Sequence, residues 1–166
     1  MAGLGRIVGR ALGLAYAQRY PERVTEMVLL SCTMTRPSDV HWLYRQAGRF
    51  FPEQRHRYRE GGGNSGDLVA AYDKLLNADP DPEVRGRAAR NWCDWEDAVN
   101  SLEEGWTPSE RYAEPRFRMT FARLCAHYFS HAAWLEGGQT SKGRPYQLRY
   151  AGVALAGSDR QTMGAA

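Results

Sequence analysis

Several features that would narrow the function are scarce or absent in this sequence. No apolar run approaches the roughly 18 residues that a membrane-spanning helix needs, so such a helix is excluded and no membrane partner is expected. The three cysteines are widely separated and form no Cys-x-x-Cys motif, which argues against a zinc knuckle or a disulfide framework. A reducing, cytoplasmic setting is therefore the default expectation. Arginines interrupt the small apolar residues at the start, and no cleavage site follows them, so no secretory signal is expected.

Lysine is also scarce, since Lys74 and Lys142 are the only two and the remaining strongly basic residues are all arginine. The formal net charge is +3, and 19 acidic residues are interspersed among the 22 basic ones. A nucleic-acid-binding domain usually concentrates its basic charge on one face. This pattern therefore argues against a nucleic-acid partner.

What is present is the composition of a folded globular chain. Of the 166 residues, 43% are hydrophobic and 25% are charged, which argues against wholesale disorder. A chain of this length can bury about 70% of the surface that it exposes when unfolded. A hydrophobic core is therefore expected without disulfide bonds.

The first part of the chain has the pattern of a helix followed by a strand. Arg10 to Tyr20 is rich in leucine and alanine, and Pro21 ends the predicted helix. Val24 to Cys32 then has the aliphatic content of a buried strand. A glycine-rich turn, a helix and a strand within about 35 residues predict half of a parallel α/β unit.

The middle of the chain is predicted to be helical. Apolar residues at helical spacing predict one helix over Pro37–Phe51, and Gly61–Gly63 predicts a loop. Ser65 is predicted to cap a helix that runs to about Asn77, with Asp67 favourably placed in its first turn.

Two longer helices are predicted next. Asp81 as N-cap and Pro82 at the first helical position begin a helix that runs toward Leu102. A last helix is predicted over about Arg116–Leu135. From Gly137 the pattern decays into a linker-like stretch, a segment able to form one short strand, and a frayed end.

The first candidate for chemistry is the segment Gly5–Gly9. Its two glycines have the spacing of a nucleophile elbow, Gly-x-Ser-x-Gly, in which a strained strand-to-helix turn presents a serine hydroxyl. Ile7 occupies the middle position and offers neither a nucleophilic atom nor a titratable proton. Taken alone, the segment is more simply explained as a glycine-rich N-terminus that arose by chance.

The residues that follow resemble a known family. The stretch LGLAYAQRYPERVTEMVL resembles the segment after the nucleophile elbow in the proline iminopeptidases, which are α/β-hydrolases that release N-terminal proline from peptides. The resemblance continues in order through HWLYRQAGRFFPEQ, GDLVAAYDKLL, DPEVRGRAARNWCDWEDAV and FARLCAHYFSH, and it covers about residues 5 to 136. Several independent motifs in the right order make it more specific than any one of them.

The resemblance implies an α/β-hydrolase fragment that is predominantly a helical cap domain with an N-terminal helix–strand remnant of the parallel sheet. Residues 1–35 would be the remnant of the core, comprising the elbow, the helix and the strand. Residues 36–136 would be the helical cap domain, and residues 137–166 a degenerate or disordered tail.

The resemblance also implies roles for individual residues. Glu96, which ends the W-x-x-W-E pattern begun by Trp92 and Trp95, inherits the binding of the substrate's α-ammonium group. The two tryptophans either pack in a helical core or line a pocket for the proline ring. Cys125 stands where the family has a second glutamate, so one of two counter-charges is missing. Val8 would supply a backbone N–H to an oxyanion hole.

The same resemblance leaves the catalytic machinery incomplete. Ile7 takes the place of the serine nucleophile, and no histidine follows the cap to act as a general base. Asp159 superficially matches a family G-x-x-D segment, but its spacing and its flanks do not align. No catalytic residue is therefore assigned and no cofactor is implied. The chain is expected to be an internal fragment or a degraded gene product.

Two histidines offer a weaker alternative chemistry. His127 and His131 lie four residues apart on one predicted helix, where they could hold a metal ion with Cys125 nearby. No third ligand is evident at a suitable spacing, so no metal site is expected. Cys125 as a thiol nucleophile would need a histidine from this same helix or His41, which is less favoured still.

Two classes of function remain open. The first is a proline iminopeptidase-like protein, truncated and catalytically incomplete, whose partners are peptides with N-terminal proline. The second is a non-catalytic helical module that binds a peptide or another protein. The sequence leaves the oligomeric state open.

Overall fold

The computed structural model describes residues 8–27, 36–102 and 105–134. The chain divides into two compact units, and each is described by itself. One unit contains the first helix, and the other comprises residues 37–132 and is called the helical unit below. All regular secondary structure in the described ranges is helical. The mostly helical character that the sequence predicts is therefore confirmed.

The first helix, α1, spans Val8–Arg19 and is followed by a single 3-10 turn at Pro21–Arg23. It ends where the sequence predicts, because proline has no N–H to continue the helix and disfavours helical backbone at the preceding residue. Tyr20 accordingly leaves the helical region, with φ −133° and ψ 62°. The strand predicted over Val24–Cys32 does not form in its described residues, 24–27, and its remainder lies outside the described part of the chain.

Five α-helices lie in the described part of the helical unit. They are α2 (Pro37–His41), α3 (Pro52–Gly61), α4 (Leu68–Asn77), α5 (Pro82–Asn100) and α6 (Pro115–Ser130). Helices α4, α5 and α6 pack against one another in pairs, and α3 packs against α5. None of the described helices is both long enough and apolar enough to cross a membrane.

The single regular helix predicted over Pro37–Phe51 is wrong. Helix α2 passes directly into a π-helical stretch, Trp42–Gln46, and then into a 3-10 turn, Ala47–Arg49. Stretches of π-helix are rare and often mark functional positions. Here the irregular winding carries Tyr44 into the core, where it is 3% exposed.

Gly48 and Arg55 give a physical reason for this irregular winding. The side chain of Arg55 lies where a Cβ on the buried Gly48 would be, with its Cδ atom 2.6 Å from that position. The guanidinium of Arg55 also donates a hydrogen bond to the backbone carbonyl of Tyr44. Tertiary packing from α3 therefore shapes this segment, and local sequence periodicity carries no signal for it.

Helix α3 is not evident in the sequence pattern, because Tyr58 is its one buried residue and most of its other residues are polar or charged. Helix α4 forms where it is predicted, but its N-cap is Asp67 and not Ser65. Asp67 Oδ1 accepts a hydrogen bond from the N–H of Ala70 at 3.0 Å. The Ser65 hydroxyl instead bonds to the backbone of Asp67, which holds the capping residue in place.

Helix α5 begins as predicted, since Asp81 Oδ1 accepts a hydrogen bond from the N–H of Glu83 at 2.8 Å and Pro82 occupies the first turn. The carboxylate of Glu114 caps α6 by accepting hydrogen bonds from two backbone N–H groups of its first turn. Helix α6 ends at Ser130. The predicted end near residue 135 is therefore wrong by about one turn.

Aromatic side chains dominate the core of the helical unit. Six of them have neighbouring ring centroids 4.5–6.1 Å apart and are called the aromatic cluster: Tyr44, Tyr58, Tyr72, Trp92, Trp95 and Phe129. Tyr58 and Tyr72 stack at 4.5 Å, and the Tyr72 hydroxyl donates to the backbone carbonyl of Tyr58 at 2.9 Å. Each such aromatic pair contributes about 0.5–1.5 kcal/mol beyond its buried area. The cluster holds α3, α4, α5 and α6 together around the site described next.

Candidate functional site

Glu96 is the one buried charged side chain among the described residues. It lies on α5 and is 3% exposed. Its spacing from Trp92, Cys93 and Ala89 brings all four to the same buried side of the helix. A buried carboxylate is costly unless other groups hydrogen-bond to it. Its partners therefore decide what chemistry it can perform.

Tyr44 is the hydrogen-bond partner of Glu96. Its hydroxyl donates to Glu96 Oε1 at 2.5 Å, and the two residues are 52 positions apart in the sequence. The Tyr44 ring is fixed between other members of the aromatic cluster, with its centroid 4.8 Å from that of Trp92 and 5.6 Å from that of Phe129. The π-helical stretch thus delivers one hydroxyl donor to one buried carboxylate.

Burial raises the pKa of Glu96 from an ordinary value of 4.5 to about 7. The neighbouring Asp97 carboxylate also raises this pKa. The hydrogen bond from Tyr44 lowers it, and the indole N–H of Trp92 acts in the same direction from a position outside hydrogen-bond geometry. Near neutral pH, Glu96 therefore exists as a mixture of charged and neutral forms, and a nearby cation would draw it toward the charged form.

Three buried donors in the aromatic cluster find no hydrogen-bond acceptor within the described parts of the chain: the Tyr58 hydroxyl and the indole N–H groups of Trp92 and Trp95. A buried donor without a partner costs about 1–3 kcal/mol. Burial raises the pKa of Tyr58 well above its ordinary value and the charge of Glu96 adds to the effect, so its hydroxyl stays neutral. The carboxylate of Glu96 thus lies beside an aromatic cluster that holds three buried donors without acceptors.

Cys125 lies on α6 and is 2% exposed. Burial raises the pKa of its thiol well above the ordinary value, and the charge of Glu96 adds to the effect. A nucleophilic cysteine needs a lowered pKa, so this environment disfavours Cys125 as a nucleophile. Its position is that of a neutral side chain close enough to feel the charge of Glu96.

The remaining predicted site residues lie at or beyond the edge of what the structure describes. Val8 is the first residue of α1, so its backbone N–H is among the four at a helix N-terminus that lack a partner within the helix. Ile7 and Asp159 lie outside the described residues. The roles inferred from the sequence for Val8, Ile7 and Asp159 therefore remain predictions.

The two histidines on α6 do not join Cys125. The side chains of His127 and His131 are 44% and 42% exposed, whereas Cys125 faces the core. Asp73 of α4 meets them instead, at 3.2 Å from His127. Asp73 thus forms a group with His127 and His131, and the sequence pattern does not identify it.

No protein-family model matches the chain, but curated relatives do. A probable proline iminopeptidase of Streptomyces coelicolor is 42% identical over 133 residues, which is 78% of this chain and 40% of the relative. The proline iminopeptidase of Neisseria gonorrhoeae is 35% identical over 162 residues, which is 90% of this chain and 50% of the relative. The proline iminopeptidase of Arabidopsis thaliana is 33% identical over 125 residues, which is 73% of this chain and 33% of the relative.

Over most of its length the chain is similar in sequence to proline iminopeptidases. The resemblance that the sequence motifs predict is thereby confirmed. The chain spans half or less of the length of these relatives.

Sequence reasoning missed Tyr44 as a partner of Glu96. A signal for it was present, because Tyr44 lies on the apolar stripe of its segment and a tyrosine turned inward usually needs a hydrogen-bond partner. Which partner it takes depends on a contact across 52 residues, which no local pattern shows. In this proline iminopeptidase relative, the motif identifies Glu96 and the tertiary structure supplies its donor.

Proposed function

We propose that the chain is a proline iminopeptidase-like protein in which Glu96 binds the α-ammonium group of peptides with N-terminal proline, without cleaving them. The observation that carries this proposal is the buried carboxylate of Glu96, 3% exposed and hydrogen-bonded to Tyr44. It is supported by the similarity to proline iminopeptidases, since the W-x-x-W-E pattern of this chain resembles the motif of that family that Glu96 completes.

The chemistry of the aromatic cluster suits a prolyl amine. A carboxylate that faces an ammonium in a partly dry site makes a charge-assisted hydrogen bond, about twice as strong as a neutral one. A pKa of about 7 means that an arriving cation would favour the charged form of Glu96. The unpaired donors of Tyr58, Trp92 and Trp95 are suited to a peptide carbonyl oxygen.

Affinity is expected to be weak for two reasons. Glu96 is almost fully enclosed, so the amine would reach it only if the Tyr44 side chain moves with its π-helical stretch. Cys125 supplies no second negative charge, because its thiol is neutral. The missing charge-assisted hydrogen bond would be worth on the order of 1.5–3 kcal/mol.

Binding without cleavage follows from the residue at the elbow. Ile7 stands where the family has its serine nucleophile, and isoleucine has no atom able to attack a carbonyl carbon.

A division of the chain goes with this proposal. Residues 1–35 would belong to the α/β-hydrolase core, residues 36–136 would form the cap, and residues 137–166 the tail. The cap assignment is supported by the compact helical unit at residues 37–132. The helical part of the core remnant is supported by α1, whereas its strand rests on the aliphatic residues of the sequence alone.

The proposal is tested by calorimetric titration of a prolyl peptide, and separately of its N-acetylated form, into the 166-residue protein. We expect weak binding of the free amine only, with the peptide recovered intact. Glu96→Gln keeps the shape and an acceptor for Tyr44 but removes the charge, so it should abolish binding. Asp94→Asn, on the exposed side of the same helix, is the matched control and should bind as the parent protein does.

A second pair of variants tests the missing counter-charge. Cys125→Glu should strengthen binding of the free amine by supplying the second carboxylate, whereas Cys125→Gln, of the same size but uncharged, should not. Equal binding of the free and acetylated peptides by the parent protein would contradict the proposal. It would favour the alternative function, a non-catalytic protein-binding module, for which the exposed Trp42 and Phe50 on the helical unit offer apolar contact surface.

A further inference from the structure

A second cluster of polar side chains lies where α4 meets α6, and it shares no residue with the Glu96 site. Asp73 comes from α4, His127 and Ser130 come from the C-terminal end of α6, and His131 directly follows that helix. Residues four apart lie on the same face of a helix, so the two histidines point toward the same neighbouring helix. The packing of α4 against α6 then brings Asp73 to both of them.

The distances in this cluster are short. His127 Nδ1 lies 3.2 Å and 3.4 Å from the two carboxylate oxygens of Asp73, and His131 Nδ1 lies 4.0 Å from Oδ2. The imidazole rings of His127 and His131 meet edge to face with their centroids 4.6 Å apart. One nitrogen from each histidine and one oxygen of Asp73 all lie within 4.8 Å of one another.

We propose that Asp73, His127 and His131 bind a divalent transition-metal ion, with Zn²⁺ as the best fit. Imidazole nitrogen and carboxylate oxygen are ligands that Zn²⁺ accepts, each at about 2.0–2.2 Å, so two ligand atoms on one tetrahedral ion lie about 3.3–3.6 Å apart. The 3.2 Å separation between Asp73 and His127 is close to that spacing, and His131, at 4.0 Å from Asp73, would have to approach by about half an ångström. Mg²⁺ and Ca²⁺ prefer oxygen ligands and fit this set poorly.

The burial of the three ligands suits the capture of an ion from solution. The Asp73 side chain is 16% exposed and is held in place, whereas the two imidazoles are more than 40% exposed and accessible to an ion in solution. The Ser130 hydroxyl donates to Asp73 Oδ2 at 2.9 Å. Hydrogen bonds of this kind orient a metal-binding carboxylate and help to set its affinity for the ion.

Metal binding would replace other contacts of these groups. His131 Nδ1 lies 2.8 Å from the backbone carbonyl of His127 and 2.9 Å from Ser130 Oγ. A histidine nitrogen that binds an ion carries no proton, so His131 would give up its contact with the carbonyl and keep its proton on Nε2. In return, the ion would link α4 to the end of α6 and stabilise the helical unit against unfolding.

The test is calorimetric titration of ZnCl₂ into the metal-free 166-residue protein, followed by thermal unfolding with and without the ion. We expect one Zn²⁺ per chain and a higher Tm in its presence. Asp73→Asn, His127→Gln and His131→Gln should each weaken binding at least about tenfold. His56→Gln is the matched control, because His56 forms a similar exposed pair with Glu60 at 3.3 Å and should have no effect.

A spectrum with Co²⁺ in place of Zn²⁺ separates this site from one built on cysteine. The proposal predicts a cobalt spectrum without a thiolate-to-metal charge-transfer band, and no binding of Mg²⁺. Absence of Zn²⁺ binding, a thiolate band, or binding that survives the loss of all three ligands would overturn it. Should Asp73→Asn fail to fold, the His131→Gln variant decides the question, because that residue lies just beyond the end of α6.

Discussion

Burying the carboxylate of Glu96 costs free energy, and the hydrogen bond from the Tyr44 hydroxyl offsets part of that cost. Burial raises its pKa to about 7, while the Tyr44 hydroxyl favours the charged form. The unfolded chain would ionise this group near its ordinary value of 4.5. Between these two values the folded protein holds a proton that the unfolded chain has lost, so folding is coupled to pH through this one residue.

The first prediction concerns that coupling. The contribution of Glu96 to the free energy of unfolding is fully present below about pH 4.5 and is lost as the pH rises through 7, by about 3 kcal/mol in total. Glu96→Gln removes the titrating group, so its unfolding free energy should fall less over this range. Urea unfolding of both proteins at intervals from pH 4.5 to 8 measures the difference. Parallel curves would show that Glu96 titrates at its ordinary pKa.

The second prediction isolates the hydroxyl of Tyr44. Tyr44→Phe should cost about 1.5–3 kcal/mol at pH 8, where the hydrogen bond is made to a charged group, and about 0.5–1.5 kcal/mol at pH 5. Tyr72→Phe is the control, because its hydroxyl donates to a neutral backbone carbonyl at 2.9 Å. Its cost should be the same at both pH values. If the two variants respond to pH alike, the Tyr44 hydroxyl does not donate to a charged Glu96.

Residues of the site differ in how far the sequence predicts them. Glu96 is found because it completes a local pattern with Trp92 and Trp95. Tyr44 and Asp73 are missed, because each acts through a partner more than 50 positions away. Local periodicity reports which face of a helix is apolar, but it does not report which helix packs against that face.

At the scale of helices, capping residues and proline give the most reliable signals. Asp81 and Pro82 begin α5 as predicted, and Pro21 follows the end of α1. The single helix predicted over Pro37–Phe51 is wrong, because the irregular winding of this segment depends on contacts with Arg55 from the next helix. Helix α3 is missed because most of its surface is solvated and it has almost no apolar stripe.

The third prediction tests the corrected N-cap of α4. Asp67→Ala removes the carboxylate that accepts from the N–H of Ala70 and should lower the free energy of unfolding by about 0.5–2 kcal/mol. Ser65→Ala removes only the contacts with the backbone of Asp67 and should cost less. Urea unfolding of both variants measures the two costs. A larger loss for Ser65→Ala would restore the N-cap that the sequence predicts.

At the scale of the whole molecule, the sequence predicts the resemblance to proline iminopeptidases and the order of its motifs, and relatives 33–42% identical confirm that resemblance. The strand predicted over Val24–Cys32 does not form in residues 24–27, and its remaining residues lie outside the described part of the chain. The central claim therefore rests on the helical unit. It is the proposal that Glu96 is an enclosed carboxyl group with a raised pKa, which a cationic amine would draw into its charged form.

The pKa of Glu96 with and without a prolyl peptide tests that claim most directly. It can be followed by NMR from the side-chain carboxyl carbon, with Glu96→Gln used to assign the signal. The account predicts a pKa of about 7 in the free protein, and a clear fall when the peptide with its free amine is present in excess. The N-acetylated peptide should leave the pKa unchanged. An ordinary pKa in the free protein, or a raised pKa that the free amine does not lower, would contradict it.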